Sequence, residues 1–382
     1  MKNKLTFFLL CLANIAVSFN FAALAAIVPI MSDDLGLPVI SVSRILHYYM
    51  IPYGLGALLY PPLVRRFNFK TILAGCLLTY AVSNFLCVIF SYLPLILAAR
   101  ILQGLAAASV VPLTLIIIGR FFEKEIRGRS VGLFFSVSFM ASLVGIVVSG
   151  FVSWRWLFTI PAGLSAVGFV AVCLLSSEIF SQREEGKIDY WSVFNQEEVL
   201  KVFVYVFMIS FLYHGVHKWL GVYLSQIYGL KQSAVSFYFM LIAIGGAVGQ
   251  NIGGHLTDKK GRFLSCLIGV LVLAFSTMLL YFKFPLVILG IIFLGFAVGW
   301  TIGHNGVSTI LTDFPDEKRS EIAGLNSAVR FFSGGLGFFC GGAFVQKNFA
   351  LTFLGYGLLM LVMAIFLKYI IPQDATAKVA KI

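Results

Sequence analysis

Two polar residues stand together inside an apolar segment in the last quarter of the chain. Asn326 and Arg330 are four residues apart, so they share one face if the segment is helical. A guanidinium in such surroundings must face a protein interior or water, and it needs a partner. Its planar fork can hold a carboxylate or a phosphate through two hydrogen bonds, whereas a lysine offers only a point charge. Arg330 is therefore the first candidate for binding an anionic group.

Other polar and aromatic candidates lie in separate apolar segments. All sixteen Asp and Glu residues stand in polar connections or at segment ends, so water or an anion is the partner left for the bases inside. His304 is the best candidate for a titrating group, because imidazole changes its charge near neutral pH. Alternatively, Arg44 and Lys218 could extend to the membrane interface, and the histidines could be packing residues. The predicted substrate-binding residues are Arg330, Asn326, Lys218, His214, His304, Trp300, Asn20 and Tyr48.

The composition excludes a soluble protein. Of the 382 residues, 60% are hydrophobic and only 12% are charged, which is about half the charged share of a soluble domain. The mean hydropathy is +0.96. A net charge of +12 could suggest nucleic acid, but the bases are spread over short connections rather than clustered with aromatic residues. The six cysteines lie in apolar runs without metal-ligand spacing, so neither a metal nor another cofactor is expected.

Twelve stretches are apolar and long enough to cross a membrane as helices, which takes about 20 residues each. The first stretch is too long for a cleavable signal peptide, so it is expected to span. The predicted spans are 5–30, 39–61, 71–91, 94–118, 129–151, 156–176, 200–224, 234–256, 263–281, 285–310, 322–345 and 349–371.

One long polar stretch divides these spans into two sets of six. Its core at 182–187 predicts a solvated linker, and residues 191–198 could add an interfacial helix. The predicted domains are an N-terminal six-helix bundle at 1–176, a cytoplasmic linker at 177–199 and a C-terminal six-helix bundle at 200–382.

The distribution of bases predicts the orientation of the chain. With the N-terminus in the cytoplasm, eighteen Lys and Arg residues fall in inner segments, and only Arg155, Lys231, Lys283 and Lys347 fall in outer connections. Such an excess is typical of the cytoplasmic side. Both termini are therefore predicted to be cytoplasmic, in a bacterial cytoplasmic (inner) membrane.

A charged segment inside this apolar sequence resembles the signature of a known family. Residues 254–263 read GHLTDKKGRF, and we expect a charged turn between two membrane helices. The order of glycine, acid, bases, glycine and base resembles the loop signature of the major facilitator superfamily. In that family the acid pairs with neighbouring bases and helix ends and latches one conformation, which implies a gating role for Asp258, Lys259 and Arg262. A loop that only sets the topology is the simpler alternative.

Other segments extend the resemblance, with departures. In the first-half counterpart, residues 61–70, Arg65 stands where the acid is expected. The sequence RILQG at 100–104 resembles the family's R-x-x-Q-G pattern, whose arginine has been linked to proton coupling. This implies coupling roles for Arg100 and Gln103. Drug:proton antiporters of the family often carry an acid in helix one, but Asn20 stands at that place, and the Gly-Pro pair of their helix five is absent.

Glycines at a spacing of four form ridges in two of the predicted spans. This spacing places them on one helix face, where small residues let two helices approach closely. A nucleotide-binding loop would follow a soluble strand, and the sequence offers none. The ridges are Gly245, Gly249 and Gly253 in span eight, and Gly337 and Gly341 in span eleven.

These segments predict an all-α membrane protein with the major facilitator fold. The resemblance implies two six-helix bundles, each built from inverted three-helix repeats, with a substrate site between them that opens alternately to each side. We therefore expect a secondary transporter of a small organic molecule, and the acid-free interior favours an organic anion. The alternatives are a proton-coupled multidrug or metabolite efflux antiporter and a non-transporting membrane sensor.

The expected partners follow from this interpretation. The sequence shows no Ser/His/Asp set in the spans and no extramembrane domain, so an enzyme is not expected. The expected partners are a small-molecule substrate, the lipid bilayer and, as one candidate coupling ion, the proton. Nucleic acid is not an expected partner, and the chain is predicted to be a monomer.

Overall fold

A computed structural model describes residues 2–174, 178–181, 188–312 and 319–371. Throughout these residues the secondary structure is helical, and no strand occurs. A short 3-10 helix covers Glu178–Ser181. The α-helices are α1 Lys2–Phe21, α2 Leu24–Leu35, α3 Val39–Arg66, α4 Phe69–Ile89, α5 Leu93–Ala107, α6 Val110–Phe121, α7 Lys124–Ser149, α8 Trp156–Leu174, α9 Tyr190–Phe194, α10 Glu197–His217, α11 Leu220–Tyr228, α12 Gln232–Lys260, α13 Arg262–Leu279, α14 Leu286–Thr312, α15 Arg319–Val345 and α16 Phe349–Ile370.

Each of the twelve predicted spans coincides with one helix or with a broken pair of helices. Among the described residues, ten helical segments are long and apolar enough to cross a membrane, and two of them, Leu93–Phe121 and Glu197–Tyr228, each combine two helices. The bent pair α1 and α2 forms an eleventh span. The twelfth is α3, which has 28 residues but is diluted by three prolines and two terminal arginines. The predicted all-α membrane fold is confirmed.

The charged segment at 254–263 differs from the predicted turn. Helix α12 continues to Lys260 and α13 begins at Arg262, so Gly261 alone joins them. Gly261 has a φ of 88°, a backbone conformation that favours glycine. Asp258 and Lys259 consequently lie in the last helical turn of α12 rather than in a loop.

The interfacial helix predicted at 191–198 is shorter than expected. Helix α9 covers Tyr190–Phe194, and Glu197 and Glu198 already belong to the first turn of α10. The Tyr190 hydroxyl donates a hydrogen bond to the Leu58 carbonyl at 3.0 Å. Burial raises the pKa of the Tyr190 phenol, and the nearby Glu321 carboxylate raises it further. The linker core at 182–187 lies outside the described residues.

The glycine ridges pack as predicted. A Cβ added to Gly253 would stand 2.9 Å from the Cα of Ile302, so α12 lies directly against α14. A Cβ on Gly337 would stand 2.0 Å from the Phe211 carbonyl oxygen, which brings α15 against α10. Any larger side chain at either place would push two helices apart.

Close packing also joins helices from the two sides of the linker. A Cβ on Gly54 of α3 would stand 2.6 Å from the Phe332 nitrogen of α15. Similarly, a Cβ on Gly221 of α11 would stand 2.2 Å from the Ala25 carbonyl oxygen of α2. These contacts bring the junction of α1 with α2 beside the junction of α10 with α11. The division into the domains 1–176 and 200–382 stays a prediction, as does the orientation of the termini.

Candidate functional site

A cavity of about 140 Å³ lies between helices from both sides of the linker. Residues from the end of α1, the end of α10, the middle of α14 and the middle of α15 surround it. Its position at the contact between the two sets of helices is the place where the sequence predicted a substrate site. We call it the central cavity; its lining residues are Phe21, Ala22, Tyr213, His214, His217, Lys218, Trp300, Arg330 and Phe331.

Two helix breaks border the central cavity. Helix α1 ends at Phe21 and α2 begins at Leu24, with a bend of 56° between their axes. Helix α10 ends at His217 and α11 begins at Leu220. Interrupted membrane helices commonly border transporter substrate sites, because irregular backbone at membrane depth is tolerated where it lines a cavity. The second break carries Lys218, which brings a base into the cavity wall.

The Arg330 guanidinium is held by a neutral partner. Its Nη1 lies 2.5 Å from the Nε2 of His304, and the other ring nitrogen of His304 lies 3.4 Å from the Ser308 hydroxyl. Because a guanidinium only donates hydrogen bonds, Nε2 must accept, and the ring proton stands on Nδ1. In this arrangement His304 is neutral, so it orients Arg330 without cancelling its charge.

Lys218 supplies the second positive charge of the central cavity. The residue is only 2% exposed, and its Nζ lies 4.5 Å from the centroid of the Phe21 ring. A cation over an aromatic face gains about 0.5–2 kcal/mol, which offsets part of the cost of burying an ammonium. Within the described residues Lys218 has no acidic partner, and no residue of the cavity lining is acidic.

Stacked aromatic rings form one wall of the central cavity. The Tyr213 ring stacks on Trp300 at a centroid distance of 4.0 Å and on His217 at 5.0 Å. On another wall, Phe331 stacks on Tyr53 at 3.9 Å. Such rings present flat apolar surface beside the two bases, so the cavity suits a ligand with a charged group and an apolar part.

Several buried polar atoms near the central cavity have no hydrogen-bond partner among the described residues. They include the Nδ1 atoms of His214 and His217 and the Oδ1 atom of Asn326. Buried polar atoms are rarely left unpaired in native proteins, so each marks a place for a ligand or a water molecule. Two of these three residues belong to the cavity lining.

The structure distributes the predicted binding residues unevenly. Arg330, Lys218, His214 and Trp300 line the central cavity, and His304 contacts Arg330 directly. Asn326 lies one turn before Arg330 on α15 and does not reach the lining. A role in substrate binding for each of these residues stays a prediction.

Asn20 and Tyr48 lie away from the central cavity. The Asn20 side chain is fully buried. Its Nδ2 donates a hydrogen bond to the Asn84 Oδ1 at 3.3 Å, and its Oδ1 accepts one from the Tyr80 hydroxyl at 3.4 Å. Tyr48 is partly buried against the His47 ring, at a centroid distance of 5.1 Å. Their polar groups are therefore not available to a ligand in the central cavity in this conformation.

Sequence reasoning did not single out Phe21, Ala22 and Phe331, although they line the central cavity. Phenylalanine occurs 38 times in the chain, so its presence carries no signal. The position of Phe331 directly after Arg330 was the only usable indication, because adjacent residues on a helix can contact the same space. Phe21 lines the cavity because α1 ends there. No Gly or Pro in the sequence stands at this break.

Arg100 is buried in different surroundings. It is 1% exposed and lies on α5, outside the central cavity. Its Nε donates a hydrogen bond to the Ile45 carbonyl at 3.0 Å, and its Nη1 donates one to the Oε1 of Gln103. The guanidinium also lies over the Tyr49 ring, 4.3 Å from the centroid. The two residues of the R-x-x-Q-G pattern are thus in direct contact.

The segment that resembles the family loop lies at the surface. Asp258 and Lys259 are exposed, and Arg262 is partly buried in the first turn of α13. In the part of the chain that the structure describes, no ion pair involves Asp258. The predicted gating roles of these residues remain predictions.

A family profile identifies the family, and a curated relative is similar over most of the chain. The profile of the family described as Major Facilitator Superfamily matches residues 10–338. The chain is 24% identical over 306 residues to the uncharacterized MFS-type transporter YwfA of Bacillus subtilis (strain 168), a match that covers 76% of this chain and 72% of YwfA.

Solved transporter structures share the fold. A mutant of the nucleoside transporter NupG has a TM-score of 0.76 at 13% identity, covering 96% of this chain and 99% of NupG. The human organic anion transporter MFSD10 (TETRAN) has a TM-score of 0.69 at 13% identity, covering 95% and 98%. With its many apolar helices, the chain is an integral membrane protein. The family match spans most of the sequence, and the protein belongs to the Major Facilitator Superfamily of secondary transporters.

Proposed function

We propose that this protein transports a small organic anion, which binds in the central cavity between Arg330 and Lys218. The observation that carries the proposal is the pairing of two bases in one cavity whose lining holds no acid. The helices around the cavity come from both sides of the linker, so a rocking motion of one set against the other would expose it alternately.

The electrostatic cost of these bases supports an anionic ligand. Placing one base at membrane depth costs about 2.5–3.5 kcal/mol on insertion scales. Arg330 meets a neutral histidine and Lys218 meets an aromatic ring, so neither contact neutralises the charge. A carboxylate or phosphate would supply the missing counter-charge, and the Arg330 fork could hold it through two hydrogen bonds.

The shape of the cavity supports a ligand with an apolar part. Trp300 and Tyr213 offer stacked ring surface beside the bases. At about 140 Å³ the central cavity is smaller than ordinary ligand pockets of about 300–1,000 Å³. We infer that the cavity must widen to admit substrate, as alternating access requires.

The efflux alternative makes a different prediction for ligand charge. A multidrug antiporter that handles cations would need an acid near its site, and the described lining offers none. MFSD10 is an organic anion transporter, but at 13% identity this likeness supports the fold and not the substrate. His214 and His217 have Nδ1 atoms without a hydrogen-bond partner among the described residues. This is compatible both with coupling to protons and with exchange of two anions.

Thermal unfolding of the purified protein tests the proposal. Mono- and dicarboxylates, organic phosphates and organic amines are added in concentration series to the parent and to Arg330→Ala, with Arg44→Ala as the matched control because Arg44 is exposed on α3. A ligand at 100 times its Kd stabilises the folded state by about 2.7 kcal/mol. We expect anions alone to raise the midpoint of the parent and of Arg44→Ala, and to raise the midpoint of Arg330→Ala markedly less.

Two results would replace the proposal. Stabilisation by amines alone would favour the efflux antiporter. Anion binding without any flux across proteoliposomes would favour the non-transporting sensor.

A further inference from the structure

A second, larger cavity lies at the end of the bundle where the chain passes from α2 to α3. Its volume is about 650 Å³, within the range of ordinary ligand pockets. Three connections meet there beside α11, namely those between α2 and α3, α13 and α14, and α15 and α16. We call it the outer cavity; its lining residues include Pro38, Trp219, Tyr223, Gln226, Ile227, Tyr281, Lys283, Gln346, Lys347 and Asn348.

The outer cavity is polar and positive at its rim and apolar along its sides. Lys283 and Lys347 are both exposed. Lys283 lies 5.6 Å from the centroid of the Tyr228 ring, and within residues 188–312 and 319–371 no acid pairs with either lysine. The lining contains no Asp or Glu, while Val222 and Ile227 add apolar surface. Two unpaired ammonium groups above an apolar wall suit an amphipathic anion.

Two amide side chains beside Lys347 add hydrogen-bonding capacity to the outer cavity. The Oδ1 of Asn348 accepts from the Leu351 nitrogen at 2.9 Å, which leaves the two amide hydrogens of Asn348 to donate elsewhere. Gln346 uses its Nε2 on the Gly342 carbonyl at 2.9 Å. A neutral amide donor makes a charge-assisted hydrogen bond to an anionic oxygen, which would add to the attraction of the lysines.

Two consecutive residues line the two different cavities. Lys218 lines the central cavity and Trp219 lines the outer one, at the break between α10 and α11. The Trp219 Nε1 donates to the Phe338 carbonyl at 3.1 Å, and its ring stacks on Phe338 at 4.7 Å. The indole is 2% exposed. No residue lines both cavities, so a ligand in one would contact a different set of side chains from a ligand in the other.

We propose that the outer cavity is a second anion-binding site, which takes the phosphate or carboxylate of an amphipathic anion between Lys283 and Lys347 and packs its apolar part against Val222 and Ile227. This chemistry belongs both to a soluble organic anion and to the headgroup of an anionic lipid. The proposal does not depend on Arg330, because Arg330 does not line the outer cavity.

Calorimetric titration with hexyl phosphate tests the site in detergent. We expect two binding events for the parent and one for Arg330→Ala. In the Arg330→Ala background, the double change Lys283→Gln and Lys347→Gln should weaken the remaining event at least tenfold. The matched control is Lys231→Gln in the same background, since Lys231 is an exposed base that does not line the outer cavity.

A lipid arm of the experiment distinguishes the two sources of the anion. The thermal midpoint is compared in nanodiscs of phosphatidylglycerol and of phosphatidylcholine. If a lipid headgroup fills the site, phosphatidylglycerol should stabilise Lys231→Gln more than the double lysine variant and should compete with hexyl phosphate. If a soluble anion fills it, hexyl phosphate should bind equally in both lipids.

The outcomes separate this site from the proposed function. Unchanged hexyl phosphate affinity and unchanged lipid response in the double lysine variant would overturn the outer site. Binding that needs the two lysines but does not change with Arg330→Ala would support the outer site and contradict the proposed function instead.

Discussion

Arg100 and Arg330 are two guanidinium groups at membrane depth with very different surroundings. Arg100 is 1% exposed and is held by a backbone carbonyl, an amide oxygen and an aromatic face. Arg330 contacts one neutral histidine and otherwise faces a cavity that also contains Lys218. The residue type is the same, but only the second arginine has unused donors beside open space. Arg100 is thus buried among protein partners, whereas Arg330 is partly exposed and borders open space, and we infer from this difference that only Arg330 is placed to bind a ligand.

The same contrast appears in the polar residues around each arginine. Near Arg100, the Asn20 amide donates to the Asn84 Oδ1 and accepts from the Tyr80 hydroxyl, and the Asn84 amide donates to the Tyr80 carbonyl. Near Arg330, the Nδ1 atoms of His214 and His217 have no partner among the described residues. Hydrogen bonds among neighbours stabilise one packing arrangement, whereas unpaired groups can take a ligand or water. The Tyr49 hydroxyl, whose ring lies against Arg100, also has no partner among the described residues.

The largest effect is expected for Arg330→Ala. Removing the guanidinium should weaken the binding of an organic anion about 100-fold, or about 2.8 kcal/mol. The thermal midpoint without ligand should not fall, because the variant removes a buried charge that has no counter-ion. Calorimetric titration measures the affinity. Parent-like anion affinity in Arg330→Ala would show that Arg330, like Arg100 in our account, does not bind the anion.

Arg100→Ala should act on stability instead. It leaves the Gln103 Oε1 and the Ile45 carbonyl without their donor, and each unsatisfied buried group costs about 1–3 kcal/mol. We expect a lower thermal midpoint, with anion affinity retained in the folded fraction. Reduced affinity at an unchanged midpoint would contradict the structural assignment of Arg100.

Lys218→Gln tests the second base of the central cavity. Its ammonium stands over Phe21 and offers one point charge to the ligand, so we expect about a tenfold loss of anion affinity, or about 1.4 kcal/mol. Lys231→Gln is the control, as an exposed base outside both cavities. An equal loss in the control would indicate a general charge effect rather than a site.

Asp258→Asn should have the smallest effect, and it separates gating from stability. Asp258 lies in the last turn of α12, where an acid is unfavourable beside the negative end of the helix dipole by about 0.3–1 kcal/mol. We expect an unchanged or slightly higher thermal midpoint together with slower transport in proteoliposomes. Arg65→Ala changes the first-half counterpart at residues 61–70, where Arg65 stands in place of the acid, and it should slow transport less. Unchanged transport by Asp258→Asn would indicate that residues 254–263 only set the topology of the chain.

The sequence predicted the helices better than their interruptions. Runs of apolar residues and charged connections identify spans by composition alone, and glycines four residues apart identify close crossings such as that at Gly253. The breaks after Phe21 and His217 carry no Gly or Pro, so they depend on packing against other helices. The single-residue connection at Gly261 was missed because the charged residues before it are helical.

The lining of the central cavity was predicted in part for the same reason. An unpaired base in an apolar span must face the interior, and this placed Arg330 and Lys218 beside a cavity. Asn20 and Tyr48 are polar enough to bind ligand, but the rotation of their helices turns them toward other partners. That rotation depends on contacts between distant helices, which one sequence does not encode in any local pattern.

The most direct test exchanges each arginine for lysine, which keeps the charge and removes the planar fork. Anion affinity and thermal midpoint are measured on Arg330→Lys and Arg100→Lys in parallel. Our account predicts that Arg330→Lys loses at least tenfold in affinity at an unchanged midpoint, while Arg100→Lys lowers the midpoint and keeps the affinity. Parent-like affinity in Arg330→Lys, or an affinity loss confined to Arg100→Lys, would contradict it.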